Sequence, residues 1–197
     1  MTEQVGEKMK QDKIRFTSTT EFNDTSIRLM FKTEYFTFEK KLLAMRIGFA
    51  ALLLAVGMFA GLPVPAQALC LLVGVWLIVA LDFPSKIRAE GVIQKRGGAV
   101  SSVDIIFTET DIRVDKRKLA YKKVTRLVED KDYCFVFENR QNAVMVDKST
   151  LEPGSADDFK AFIEEKTGLT FRRNVNILSM NLFDLLGISR KSGKKNK

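Results

Sequence analysis

Hydrophobic and polar positions follow three different rhythms along this chain, and each change of rhythm marks a part. From Ile47 to Leu81 the residues are almost wholly apolar and carry no charge. Gly61-Leu62-Pro63-Val64-Pro65 interrupts this run near its middle. A membrane-crossing helix takes about 20 mostly apolar residues. The run is too long for one such helix and suits two, so the pattern predicts a helical hairpin with its turn at the Gly/Pro cluster. Gly57 and Gly61 give a G-x-x-x-G spacing whose second half falls in that turn. Trp76, well inside the second arm, is expected to pack against the first.

From Val103 onward the period becomes two. Val103–Phe107, Ile112–Val114, Leu119–Tyr121, Val124–Val128, Tyr133–Phe137 and Ala143–Val146 read as short strands, with polar turns between them. The strands recur at roughly ten-residue spacing, which predicts an antiparallel meander closing toward a barrel or sandwich. Pro153-Gly154 then ends the meander. Ser155 with Asp158 three residues on resembles a capping box, Phe159, Phe162 and Ile163 recur at helical spacing, and Gly168 follows as a stop. One short amphipathic helix is expected there, its aromatic stripe covering the β-structure. Upstream of the hairpin, Arg15–Ser18, Ile27–Lys32 and Tyr35–Phe38 also read as strands. They either pair with the later meander, making the hairpin an insertion in a split β-domain, or form a separate stretch on the membrane.

Charge fixes the orientation this pattern predicts. The chain has 197 residues and a net charge of +8. Lys40, Lys41 and Arg46 sit at the entrance of the first arm, and Lys86 and Arg88 follow the second. The turn from Gly61 to Gln67 has no charge. By the positive-inside rule both termini are cytoplasmic and the protein is a multi-pass protein of the cytoplasmic membrane. Lys86 to Arg96 is expected to continue as a polar helix along the surface, after an exit kink at Pro84. Arg46, one turn inside the boundary, is expected to snorkel outward.

Candidate chemistry changes this picture little. The chain has two cysteines, Cys70 and Cys134, and no histidine. A four-ligand zinc site has nothing to form from, and the commonest general base is missing. No phosphate-binding loop, dinucleotide fingerprint or nucleophile elbow occurs. No catalytic, metal or cofactor residue is therefore assigned, and no cofactor is expected. The positive charge lies mostly beside the hairpin, without interleaved aromatic platforms, so nucleic acid is not an expected partner. The tail carries Leu178, Leu182 and Leu185 on one helical face and ends in Arg190, Lys191, Lys194, Lys195 and Lys197. That basic end is either a solvated terminus or a clamp on anionic lipid. The candidate anionic-lipid contacts are thus Lys40, Lys41, Arg46, Lys86, Arg88, Arg190, Lys191, Lys194 and Lys195.

The order of parts, a meander followed by one capping helix, is that of a pleckstrin-homology-like (PH-like) domain. The segments Ile105–Ile112, Leu119–Glu129 and Asp132–Phe137, with the Phe159-Phe162-Ile163 helix, resemble the YcxB-like family of bacterial membrane proteins across residues 26–168. That resemblance implies a polar N-terminus, a transmembrane hairpin and a C-terminal PH-like β-domain, with no family active site to map. One departure is Tyr121-Lys122-Lys123, basic where the family turns acidic.

The expected organisation is a β-rich segment at 1–39, a two-helix hairpin at 40–83, a linker at 84–100, a PH-like domain at 101–168 and a basic tail at 169–197. The fold class is a membrane α-helical hairpin plus an α+β domain, a PH-like antiparallel barrel or sandwich capped by one C-terminal helix. The expected function is a non-enzymatic binding or scaffolding module anchored at the cytoplasmic face. Its expected partners are the bilayer, anionic headgroups, an unidentified protein and a second copy of the chain. The alternative is a small subunit of a transport or channel assembly.

Overall fold

The structure is a computed structural model that describes residues 13–115 and 117–174. Among them lie five α-helices and two four-stranded sheets. Strand β1 (Ile14–Phe22) comes first, then helices α1 (Asp24–Phe38), α2 (Lys40–Phe59), α3 (Val64–Val79) and α4 (Phe83–Arg96). Strands β2 (Ser101–Thr108), β3 (Asp111–Val114), β4 (Arg117–Ala120), β5 (Arg126–Glu129), β6 (Tyr133–Phe137) and β7 (Ala143–Asp147) follow, then α5 (Ala156–Thr167) and β8 (Phe171–Arg173). One sheet runs β1-β2-β3-β4 and the other β7-β6-β5-β8.

Strand β1 pairs antiparallel with β2 along nearly its whole length, Thr17 opposite Ile106 and Phe22 opposite Ser101. Residues on either side of the apolar run therefore share one sheet. The strands expected over Ile27–Lys32 and Tyr35–Phe38 are instead helix α1. Asn23 starts it: its side chain accepts the Ser26 amide at 3.0 Å while the Ser26 hydroxyl accepts the Asn23 amide at 2.9 Å. This reciprocal cap satisfies amides that would otherwise be orphaned at the helix start. Ile27, Met30, Phe31, Glu34, Tyr35 and Phe38 then fall three or four apart, which is helical spacing. The aromatic and Thr content that suggested strands yields to that periodicity and to packing.

Helix α1 lies between the second sheet and α4. Met30 and Phe38 pack on Phe135, Phe137 and Met145, while Ile27 packs on Ala89 and Ile93 of α4. Strand β6 is consequently buried on both faces. Cys134 and Val136 face the main core, and Phe135 and Phe137 face α1. This explains why Tyr133–Phe137 is apolar without a break.

Of the expected barrel or sandwich, the barrel does not close, and the strands form two sheets. The antiparallel pattern holds within β2-β3-β4 and β5-β6-β7, but a one-turn 3-10 helix, Tyr121–Lys123, separates β4 from β5, and β8 joins β5 in parallel. On the other side, β1 and β7 are linked through side chains rather than a backbone ladder. The Thr20 hydroxyl donates to the Met145 carbonyl at 2.8 Å and accepts the Asp147 amide at 3.1 Å, and the Ser18 hydroxyl donates to the Asp147 carbonyl at 3.2 Å. Hydroxyls inserted between two strands hold their backbones too far apart to share a ladder. The result is two sheets around a core of Phe16, Phe107, Val136, Phe159 and Ile163, among others.

Helix α5 begins and ends as its sequence predicts. The Asp158 amide donates to Ser155 Oγ at 3.2 Å, the Ser155 amide donates to Asp158 Oδ2 at 2.9 Å, and Gly168 closes the helix in the left-handed region.

Helices α2 and α3 form an antiparallel pair around a turn at Gly61, which has φ +60°. Helix α2, with 20 residues, is long and apolar enough to cross a membrane. Helix α3 is shorter and runs into α4 through a 52° bend, with Pro84 in the first turn of α4. The buried positions of α2 are Leu43, Ala50 and Gly57, seven residues apart; Ala50 and Gly57 face α3, while Leu43 packs on Tyr35 and Leu81. A Cβ added to Gly74 would lie 2.8 Å from Leu54 Cγ and 3.2 Å from the Ala50 carbonyl oxygen; one added to Gly57 would lie 2.9 Å from Leu71. The close approach thus uses Gly57 with Gly74, while Gly61 makes the turn. Trp76 is 57% exposed and does not pack inward as expected. Gly74→Leu should therefore drive the two helices apart, at a cost of about 1–3 kcal/mol. The readout is the melting midpoint of the full chain in detergent, with Gly48→Leu as control because nothing lies within 4 Å of Gly48. Equal midpoints for the two variants would contradict the tight contact.

Candidate functional site

The polar side chains of most interest gather at the base of the α2–α3 pair. There the end of α1, both apolar helices, α4 and the second sheet come together.

Arg46 reaches back to the end of α3. Its guanidinium donates to the Ala80 carbonyl at 3.3 Å, the Leu81 carbonyl at 3.4 Å and the Tyr35 hydroxyl at 3.4 Å. The last carbonyls of a helix lack intrahelical partners and carry the negative end of its dipole, so a cation is favoured there. Sequence placed Arg46 with the lipid contacts; its donors are engaged within the protein.

Arg88 is similarly occupied. It forms an ion pair with Glu34 at 2.9 Å, and Arg140, from the β6–β7 turn, reaches the same carboxylate oxygen at 3.0 Å and Glu39 at 2.5 Å. Glu34 is only 8% exposed. One acidic side chain of α1 therefore ties α4 and the second sheet together. Beside it is a cavity of about 440 Å³ lined by Phe31, Arg88, Phe137 and Arg140 among others. Lys86 forms an exposed pair with Asp82 at 3.2 Å. Lys40 and Lys41 are exposed at the start of α2. Arg190, Lys191, Lys194 and Lys195, and the helical face at Leu178, Leu182 and Leu185, lie outside the described residues.

A larger cleft, about 620 Å³, opens between the α1–α2 junction and the β5–β8 edge. Phe36, Thr37, Lys40, Arg126, Arg172 and Arg173 line it, together with polar and apolar neighbours and no acidic residue. Arg126 lies 4.3 Å over the Phe38 ring and donates to the Thr37 carbonyl, closing the end of α1. Arg172 and Arg173 are brought here by β8, which places Phe171 opposite Leu127 and Arg173 opposite Glu129. Asn174 fixes the strand end: its amide donates to the Glu129 carbonyl at 2.7 Å and its side chain to Thr33 Oγ1 at 2.9 Å. Of these cations only Lys40 was picked out from sequence. Arg172-Arg173 was visible as a basic pair after the Gly168 stop, but a three-residue parallel strand has no pattern of its own.

Elsewhere the ionisable groups serve structure. Glu129 pairs with Lys148 at 2.7 Å and Lys160 at 3.1 Å, bridging β5, the end of β7 and α5. Burial pushes the Cys134 thiol up to about 11, far from the range of a reactive thiolate. Among the described residues no three His, Cys, Asp or Glu side chains cluster as metal ligands.

Residues 106–163 match the model of the family described as YcxB-like protein. The match supports the family resemblance. It runs from β2 to α5, so the helices α1 to α4 and strand β1 lie outside it, and of the cleft cations it contains Arg126 alone. No curated protein and no solved structure matches the chain.

Proposed function

We propose that this protein is a non-catalytic, membrane-anchored binding module. Helices α2 and α3 are its two-pass anchor, with the termini and both sheets at the cytoplasmic face. The observation that carries this reading is the Glu34 clamp. A flexible tether would suffice for an anchor alone, whereas Glu34, Arg88 and Arg140 fix the β-structure rigidly at the base of the apolar pair. A binding surface held in that way keeps a constant height and orientation over the bilayer. The all-basic flanks and uncharged turn support the orientation. Beyond the basic residues at its entrance, the apolar pair carries no acidic or basic side chain from Ile47 to Leu81, which favours an anchor over a conduction path.

The β-structure has the parts of a PH-like domain: two antiparallel meanders packed face to face, followed by helix α5. It departs from the simple form in taking its first strand from before the anchor and a parallel strand from after α5.

Two measurements on the full-length chain test this proposal. Alkaline carbonate should leave it in the membrane fraction. A cysteine at Leu62 should react with an impermeant thiol reagent in intact cells, and one at Lys122 only after permeabilisation, each in a Cys70→Ser background. Release by carbonate, or labelling of Lys122→Cys in intact cells, would overturn the proposal.

A further inference from the structure

We infer that the cleft formed by Lys40, Arg126, Arg172 and Arg173 seats the phosphate-bearing headgroup of an anionic phospholipid. The inference rests on the membrane reading of α2 given above, and it assigns that module a ligand class.

Three observations converge. First, the cations of the cleft lack acidic partners. Among the described residues, Arg28, Arg88, Arg140, Lys148, Lys160 and Lys166 each pair with a carboxylate, whereas no carboxylate lies within 4.0 Å of the charged groups of Lys40, Arg126, Arg172 or Arg173. Four positive groups in one concavity repel one another, and a bound anion relieves that repulsion. Second, the cleft offers neutral donors beside the charges. Thr37 and Thr170 line it, and α2 begins there with no side-chain cap on its first amides. Uncapped amides at a helix start favour an anion. Third, position decides the kind of anion. Lys40 is the first residue of α2, so the cleft opens where the apolar helix begins. A lipid whose tails lie against the exposed face of α2 places its phosphate at that height. Phe36, Leu127 and Leu169 give the lining an apolar component for the glycerol region.

Arg46 and Arg88 then divide from the other basic residues. Arg46 joins α2 to Tyr35 of α1 and to the end of α3, and Arg88 joins α4 to α1, while Lys40, Arg172 and Arg173 are exposed.

The test uses full-length protein in a neutral detergent, titrated with phosphatidylglycerol and followed by native mass spectrometry. Phosphatidylglycerol should remain bound where phosphatidylcholine does not. Lys40→Gln with Arg172→Gln should weaken retention about thirtyfold, from the rough value of two basic residues near an anionic lipid. Both side chains are exposed and neither makes a hydrogen bond or ion pair with a described residue, so their loss leaves the fold intact; an unchanged melting curve verifies this, and Arg173→Gln alone gives a milder version. Lys122→Gln with Lys123→Gln removes equal charge away from the cleft and should leave retention unchanged. Equal losses in the two double variants would overturn the inference, because diffuse charge would then explain binding. So would equal retention of the two lipids, or full competition by glycerol phosphate at matched concentration, which would assign the cleft to a soluble phosphate ester. Carbonate extraction separates the two levels: wild-type release defeats the anchor itself, whereas a retained chain without lipid preference defeats only the cleft.

Discussion

Phe159→Ala should destabilise the β-structure by about 3–5 kcal/mol. Phe159 is fully buried. Its ring meets Phe107 of β2 edge-on at 4.8 Å and Phe16 of β1 at 5.6 Å. These are strands on opposite sides of the apolar helices in the sequence, and α5 is the element that covers both. Removing the ring leaves a cavity at a place where three chain segments converge, and the two backbones of a hydrogen-bonded strand pair cannot collapse far to fill it. Edge-to-face contacts add about 0.5–1.5 kcal/mol apiece beyond the buried area. The measurement is amide hydrogen exchange of the full chain in detergent, read on peptides from β1, β2 and β6. Those peptides should exchange faster, while peptides from the exposed apolar part of α2 should not change. Uniform acceleration, or none, would contradict the placement of Phe159.

The apolar helices, the six later strands and α5 were legible because each carries a local signal. The Gly/Pro interruption, the period of two and the Ser155–Asp158 cap are written within a few residues of where they act. What escaped was set by distance. Helix α1 was misread because Thr, Phe and Tyr suit strands, yet its apolar positions also fit a helix, and only contact with β6 on one side and α4 on the other decides between them. The choice between barrel and sandwich was not legible, because closure depends on the Ser18 and Thr20 hydroxyls meeting Asp147 and Met145, more than 120 residues away. The candidate site was the least legible part. Basic flanks carried the expected orientation, but all flanking cations look alike in a sequence. Whether a given one is consumed within the fold, as Arg46 and Arg88 are, or left facing a cleft, as Lys40 is, depends on carbonyls and carboxylates brought from elsewhere.

Glu34→Ala should separate the functions of those cations most sharply, loosening α1 from α4 and the β6–β7 turn at a cost of about 2–4 kcal/mol. The carboxylate is nearly buried, and its removal leaves the Arg88 and Arg140 guanidinium groups without their shared partner. Breaking a fully buried ion pair costs more; the partial exposure of both arginines lowers the figure, because water can resolvate them. Arg140 also keeps Glu39 at 2.5 Å, so the second sheet should stay attached more firmly than α4. Hydrogen exchange should therefore accelerate in α4 beyond any change in β6 and β7. Arg140→Ala alone should do the reverse, sparing the Arg88–Glu34 pair. If the penalty arises from stranded charge rather than from lost packing, an apolar set should recover most of it. Glu34→Leu combined with Arg88→Met and Arg140→Leu is that set, and its melting midpoint should lie nearer the wild-type value than that of Glu34→Ala. A triple variant no more stable than Glu34→Ala would mean that the clamp acts through geometry specific to the ions. The triple variant keeps the α2–α3 pair and the cleft residues unchanged while removing the bonds that join α1 to α4 and to the β6–β7 turn. Lipid retention by the cleft should survive in it, because Lys40, Arg126, Arg172 and Arg173 make no contact with the clamp residues through any hydrogen bond or ion pair among the described residues.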